Sequence, residues 1–424
     1  MVGPKPNRMC KSKSAIAATA PSSPVAAAAA ASSARNHRSP RTTATFPASS
    51  YSSASASFST TSSSAASSLA ALRDSLPDLP LLFTFHDLAA ATANFSSSHR
   101  LAPSSSNSFR CTLRGHPAAV FRRPLRRDAR DVSARLAVLG HCHHAAIARL
   151  LGAAASPDRT TLFLAYQLLP DAAPLSALLR NPKNPSFTPL SSWHSRLQLA
   201  ADVCDALHYV HLQADTVHNR LSSSSVLVCA DGPLFRAKLA HFGAADLAGD
   251  LPPDQKPEDG EAAKGAGGQR RAGHRGRRIE GTRGYMAPEL VTGGAPTRRA
   301  DVFALGVVLL ELVSGREPVR YELVDGAAGE YERTSVVEAA EAAAAEGGGE
   351  AMRRWVDRRL GDSFPVDAAE SLTAVALRCA AKDPAARPDM PWVAAKVSKL
   401  FLDAQEWAAR FRFPTDISVS IAPR

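Results

Sequence analysis

Residues 281–318 read GTRGYMAPELVTGGAPTRRADVFALGVVLLELVSGREP. Within them, residues 302–310 form a run with no polar side chain on any side. A helix on a protein surface needs a polar face, so such a run predicts a helix buried all round and a core large enough to enclose it. A bilayer span needs about 20 apolar residues. This run is too short for that and is closed by Asp301 and Glu311, so no transmembrane segment is expected here or elsewhere in the chain.

Outward from this stretch, the 424 residues allow two or three domains, and 45% hydrophobic with 21% charged residues is a globular balance. The average conceals a boundary. From Met1 to Arg73 there is no Asp or Glu, while Lys5, Arg8, Lys11, Lys13, Arg35, Arg38, Arg41 and Arg73 give +8. The remainder carries +11 − 8 = +3. Basic character thus belongs to the tail, and a nucleic-acid face on the folded part has no support. The six cysteines, at positions 10, 111, 142, 204, 229 and 379, contain no C-x-x-C pair. Neither a zinc site nor a disulfide framework is expected, and a reducing, cytoplasmic setting fits.

Residues 1–77 are rich in Ser and Ala and too poor in aromatic and branched apolar residues to bury a core, so a disordered tail is expected. Cys10 lies beside Lys11 and Lys13, a setting suited to S-acylation and peripheral attachment to the inner face of the plasma membrane. The acid-free composition also fits an organelle transit peptide, which would place the protein in a chloroplast. Gly3 is not the second residue, so myristoylation is not indicated, and the polyalanine run at 26–31 is too weakly apolar for a secretory signal.

Ala287-Pro288-Glu289 stands where protein kinases have A-P-E, and residues 301–306, DVFALG, where they have D-V-[YF]-[AS]-[FL]-G. The opening stretch therefore resembles the end of the eukaryotic kinase activation segment and the helix after it. Residues 81–95, LLFTFHDLAAATANF, resemble the F-[ST]-x-x-[ED]-L-x-x-A-T-x-x-F motif that precedes plant receptor-like kinase domains. The resemblance runs on to about Phe401. It implies an α+β, bilobal, protein-kinase-like fold over 78–413, with a small β-rich N-lobe at about 78–167, a helical C-lobe at about 168–413 and a tail at 414–424. The chain is similar to plant receptor-like kinases, including the kinase part of the LysM type, with no LysM module expected.

Local patterns agree with that fold. Residues 110–122 read as two strands turning at Gly115-His116-Pro117. Val132, Leu136 and Leu139 form the stripe of a packed helix. Residues 139–152, LGHCHHAAIARLLG, align without gaps to the kinase pattern L-x-x-x-x-H-x-N-[IL]-V-x-L-L-G. That precedent, with no carboxylate or cysteine pairing evident, weighs against a metal site at His141, His143 and His144. Residues 162–166 read as a buried strand, and Gln167-Leu168-Leu169-Pro170 resembles the hinge between lobes. Leu197, Ala200, Cys204, Leu207 and Val210 mark one face of a long helix leading to the catalytic loop.

Kinases hold ATP with a glycine-rich loop and a strand Lys paired to a helix Glu, bind metal through an Asp and an Asn, and orient the hydroxyl with another Asp. Here residues 101–114 contain no glycine, so backbone amides cannot close on phosphates as they do there. By alignment, Phe121 replaces the strand Lys and Arg135 the helix Glu. The loop H-R-D-[LI]-K-x-x-N reads His218-Asn219-Arg220-Leu221-Ser222-Ser223-Ser224-Ser225. Arg220 thus replaces the proton-accepting Asp, Ser222 the Lys and Ser225 the metal-binding Asn. A guanidinium stays protonated at any physiological pH and cannot act as a base. D-F-G has become His241-Phe242-Gly243, and magnesium wants hard oxygen ligands in place of imidazole.

What the resemblance preserves is structural. His218, Phe242, Leu139 and Leu150 match the residues stacked between the lobes, Gly243 and Asp301 keep their positions, and Glu289 with Arg387 matches a buried ion pair of the large lobe. Residues 383–388, DPAARP, are the family's D-P-x-x-R-P. Between Gly243 and Gly281, the acids Asp250, Asp254, Glu258, Asp259 and Glu261 precede Arg270, Arg271, Arg275, Arg277 and Arg278. This reads as a solvated loop, or else as a docking site for an acidic or phosphorylated partner. Residues 338–350 read as a flexible Ala/Gly insert, and Val393, Val397, Leu400, Ala404, Trp407 and Phe411 as a terminal helix. The expectation is a pseudokinase without cofactor, acting as scaffold or allosteric partner beside active receptor-like kinases. An active Ser/Thr kinase using Mg-ATP with atypical residues is the alternative, and an organelle-targeted kinase-like protein the second.

Overall fold

The structure, a computed structural model, describes residues 79–102, 105–231, 234–251, 281–323, 331–361 and 363–410. The tail at 1–77 with Cys10, the charged residues between 252 and 280, Phe411 and the tail at 414–424 lie outside the described residues.

The first lobe is built, in chain order, from β1 (Leu81–Leu82), α1 (Phe85–Ala91), β2 (Ser108–Leu113), β3 (His116–Pro124), α2 (Ala129–Leu139), β4 (Leu150–Ala155) and β5 (Thr161–Gln167). Its sheet has the order β1-β4-β5-β3-β2, antiparallel except that β1 runs parallel to β4. At that junction a Cβ on Gly152 would lie 2.1 Å from the Leu81 carbonyl oxygen, so only glycine admits β1. The residues of the F-T-F-H-D stretch owe their places to a capping box. The Thr84 amide donates to Asp87 and the Asp87 amide to Thr84 Oγ1, both at 3.1 Å, which starts α1. Phe85 and Phe95 then pack on Phe163 of the sheet, with ring centroids 5.6 and 4.8 Å away.

The β2–β3 turn lies one residue earlier than the sequence suggests. Leu113 pairs with His116, so the turn is Arg114-Gly115, and His116 and Pro117 belong to β3. Both turn residues have positive φ, 48° and 82°. That matches the twist of a two-residue hairpin, and Gly115 reaches it without strain.

The second lobe contains β6 (Ala173–Pro174), α3 (Leu175–Leu179), α4 (Trp193–Leu212), β7 (Val226–Asp231), β8 (Leu234–Leu239), α5 (Ala244–Ala248), α6 (Pro288–Val291), α7 (Arg298–Ser314), β9 (Val319–Leu323), β10 (Tyr331–Ser335), α8 (Val336–Glu346), α9 (Gly348–Trp355), α10 (Val366–Cys379) and α11 (Met390–Arg410). The anticipated buried helix is α7. Thr297 caps its first turn, Gly315 ends it at φ 66°, and every residue from Ala300 to Ser314 is buried. On one side α10 approaches so closely that a Cβ on Gly306 would lie 2.7 Å from the Ala376 carbonyl oxygen. The stripe on α4 is fully buried, and α11 lies along α4 with Val393, Val397 and Ala404 inward.

Residues 338–350 are not a flexible insert. They form most of α8 and the start of α9, divided at Gly347 and Gly348, which take φ 67° and 79°. A Ser335–Glu338 capping box starts α8, and Val336 and Ala340 are buried. Alanine, which gives the segment its low-complexity look, is also the strongest helix former.

Replacing Gly306 by Ala forces α7 and α10 apart. Overpacking of this kind costs about 1–3 kcal/mol, so the urea midpoint of Gly306→Ala falls below that of the wild type. An unchanged midpoint removes the close approach from the account of the fold.

Candidate functional site in the cleft between the lobes

The cleft is lined by β3, β5, the His241-Phe242-Gly243 turn and the loop at 218–225. Phe121 sits on β3 opposite Leu164 of β5. Its ring meets His241 edge-to-face, centroids 4.4 Å apart at 86°, and Tyr166 at 6.0 Å and 66°. His241 and Tyr166 close the triangle at 5.8 Å and 88°. Edge-to-face contacts of this kind set ring hydrogens against a neighbour's π face and are favourable beyond the area they bury. Tyr166, immediately before the hinge, is buried and donates its hydroxyl to the Phe242 carbonyl at 2.9 Å. Burial pushes that phenol far above its usual range.

His241 holds a left-handed backbone, φ 65°, uncommon for a residue with a side chain. Burial, then the positive charge that His218 and Arg220 can carry, pushes its imidazole down to about 4. It is neutral at physiological pH. Gly243 follows at φ 74°, where a Cβ would lie 2.8 Å from Leu139 Cδ1. Leu139, Leu150 and Phe242 share one core, and the buried His218 hydrogen-bonds through Nε2 to the Ala240 carbonyl at 2.8 Å. The Arg220 amide donates to His218 Nδ1 at 3.4 Å, which assigns the ring proton to Nε2.

Asp301 of α7 organises the loop. It accepts hydrogen bonds from the amides of His218 and Asn219, each at 2.7 Å, and contacts His211 Nε2 at 3.1 Å. Ser222 and Ser225 are buried and occupied with each other. Ser225 Oγ donates to the Ser222 carbonyl and accepts from the Ser222 amide, both at 2.9 Å.

Arg135, in the place of the helix Glu, has a carboxylate partner of its own. Asp246 of α5 is 2% exposed and receives Arg135 Nε at 3.0 Å and Nη2 at 2.6 Å. Arg127 adds Nη2 at 3.3 Å to the same carboxylate and Nε at 3.1 Å to the Asp246 carbonyl. Asp250 is likewise not in a solvated loop; it is buried and paired with Arg126, whose amide donates to the Ala248 carbonyl at 2.8 Å. The middle of α2 and the residues before the helix are thus clamped to the segment after Gly243. The charges that a Lys–Glu pair would bring to α2 and β3 are replaced by a bidentate pair between α2 and α5.

Four residues that sequence reasoning gave no joint role converge elsewhere. Glu311, 0% exposed, accepts from Tyr285 Oη at 2.6 Å, Arg180 Nη2 at 2.6 Å and Ser223 Oγ at 3.0 Å. Burial pushes its carboxyl up while Arg180 opposes the shift. Nothing in the sequence around Glu311 except its position at the end of an apolar run signals this. Glu289 and Arg387 do meet, at 2.6 and 2.8 Å, with Arg387 buried and also donating to the carbonyls of Arg299, Ala381 and Lys382. The Glu289 side chain is 24% exposed, so the pair is buried on its arginine side only. His144 finds a carboxylate in Asp205 at 3.1 Å, a pairing not evident in the sequence. Among the described residues no group of three His, Cys, Asp or Glu side chains is placed to hold a metal.

Residues 122–397, more than half of the chain, match the family model described as protein kinase domain. The chain belongs to the protein kinase domain family. Among curated relatives, this kinase-family chain is 30% identical over 346 residues to LysM domain receptor-like kinase 3 of Arabidopsis thaliana, covering 80% of the chain and 49% of that protein. It is also 30% identical to chitin elicitor receptor kinase 1 of the same plant, covering 78% and 48%. The chain spans about half the length of the curated relatives it matches. Among solved structures, the pseudokinase domain of BIR2, described as an immune regulator of the RLK/Pelle family, shares the kinase fold with TM-score 0.55 at 22% identity, covering 80% of the chain and 93% of that domain.

Two outcomes follow for this kinase-family cleft. Asp246→Ala leaves two arginines without their shared carboxylate, and breaking a buried pair on one side costs about 3–5 kcal/mol. Because Arg135 and Arg127 are partly exposed, a loss of about 2–3 kcal/mol is expected by chemical denaturation, with Arg135→Ala losing less. An undiminished midpoint contradicts the clamp. His241 titrates lower in the fold than the ordinary value near 6.5 of the unfolded chain. Its contribution is complete above about pH 6.5 and is lost as pH falls toward 4, where the unfolded state binds the proton first. His218, also lowered by burial, has the same sign. The variant His241→Asn, which tolerates the left-handed backbone, should therefore show a shallower loss of stability between pH 6.5 and 4; parallel curves would refute the assignment.

Proposed function

We propose that this protein is a pseudokinase, which signals through contact with other proteins, active receptor-like kinases foremost, and transfers no phosphate. The observation that carries the reading is the triangle of Phe121, Tyr166 and His241. It sets a benzyl ring, a phenol bound to backbone and a neutral imidazole where the family holds an ammonium and a metal-binding carboxylate. The donor set does not fit Mg-ATP. Magnesium binds oxygen, and Ser225 Oγ, in the place of the metal-binding Asn, has its hydrogen bonds within its own loop. Arg220, in the proton acceptor's place, cannot take a proton. Separate parts of the mechanism are altered, so no single reversion restores it.

The kinase fold is compatible with such a role, since the BIR2 domain that shares it is described as a pseudokinase and an immune regulator. The receptor kinases among the relatives support receptor-like kinases as the proposed partner class. Acylation at Cys10 in its basic setting is proposed to bring the protein to the membrane face where such receptors signal.

The test is nucleotide binding by the purified chain. A ligand at a hundred times its dissociation constant stabilises the native state by about 2.7 kcal/mol, which is readily seen as a raised melting temperature. No shift is expected with millimolar ATP and magnesium, and no phosphate transfer to a generic protein substrate. Magnesium-dependent phosphorylation that disappears in His241→Ala would overturn the proposal in favour of an active kinase.

A further inference from the structure

The β9–β10 hairpin carries its charges on two distinct faces. Register pairs Tyr321 with Arg333 and Glu322 with Glu332 directly across the strands. Side chains alternate between faces, so Tyr321 and Arg333 share one face while both acids lie on the other. Tyr321 is 42% exposed. The Arg283 guanidinium lies over its ring, 4.7 Å from the centroid, and Nη2 of that arginine donates to its hydroxyl. Arg283 belongs to the stretch that opened the sequence, and that stretch is seated against the hairpin base. A Cβ on the next residue, Gly284, would lie 2.8 Å from Pro318 Cβ.

We propose that Tyr321 is a phosphorylation site whose phosphate is received by Arg283 and Arg333. The phosphoryl group comes from ATP through a separate protein kinase acting on tyrosine. Tyr321 Oη attacks the γ-phosphorus, the bond from that phosphorus to the β-phosphate oxygen breaks, ADP leaves, and the phenolic proton passes to the modifying kinase. The product puts nearly two negative charges at an oxygen already held by one guanidinium and faced by a second, with Glu322 and Glu332 on the opposite face. A phosphate opposite such a cluster gains charge-assisted hydrogen bonds and orders what it bridges. Here it joins the hairpin to the end of the segment between the lobes' cleft and α7. Tyr331 is more exposed, at 65%, but pairs with Leu323 across the strands, whereas Tyr321 pairs with Arg333 and is held by Arg283. The inference is independent of whether the cleft binds nucleotide.

The experiment installs phosphotyrosine at position 321 of the full chain by codon suppression and repeats this in Arg283→Gln and Arg333→Gln. A melting temperature raised by about 2–4 °C in the wild-type background, and smaller or absent in either variant, is expected. No rise, or an equal rise in both variants, overturns the receiver. In a second arm, the unmodified chain is treated with a purified broad-specificity tyrosine kinase and Mg-ATP. Mass spectrometry should find phosphate at Tyr321 that a tyrosine phosphatase removes several-fold more slowly than in Arg283→Gln. Absence of phosphate at that residue, or equal removal, overturns the site.

Discussion

A carboxylate inside a helix buried on all sides is tolerable only where donors are carried to it. Asp301 is such a carboxylate, and its donors are the amides of His218 and Asn219 together with His211. That requirement fixes the loop at 218–225 against α7, and His218 in turn fixes Ala240 and the turn that follows. Glu311, at the other end of the same helix, draws Tyr285, Ser223 and Arg180 to it. The two acids that bound the apolar run therefore act as anchors, one at each end, for segments from four parts of the chain.

The cleft built on those anchors lies in the kinase fold, with side chains that depart from the family's motifs. Residue 241 takes a left-handed backbone although its side chain is histidine, and the contacts of that ring with Phe121 and Tyr166 hold the turn. Tyr166 holds the Phe242 carbonyl from the sheet side, and Arg135 with Arg127 holds Asp246 one turn later. Between them these bonds tie the first lobe, from two sides, to the same short segment of the second. Apolar contact and an arginine clamp hold that segment in place.

How much of this was legible depends on the distance between partners in the sequence. The burial of α7 could be read because the apolar run itself excludes a solvent face, and the residues of the cleft could be read by aligning short motifs. Their mutual contacts could not: Phe121, Tyr166 and His241 lie on three separate segments, and no local pattern says that their rings meet. The Arg135–Asp246 pair was hidden for the same reason, since the acid stands just past Gly243 in a stretch whose charges read as a solvated loop. Alanine content misled in the opposite direction, making α8 look unstructured although Ser335 and Glu338 spell out its start.

The single pair of residues in β1 has a consequence for the solubility of the lobe. An unpaired strand edge is a template for another chain, and β4 (Leu150–Ala155, LLGAAA) would be such an edge: short side chains, no charge, no proline. Leu81 and Leu82 cover it, and Gly152 leaves room for them to do so. The segment before the kinase match is therefore a lid on a sticky margin, and a fragment begun downstream of it would present that margin to its neighbours.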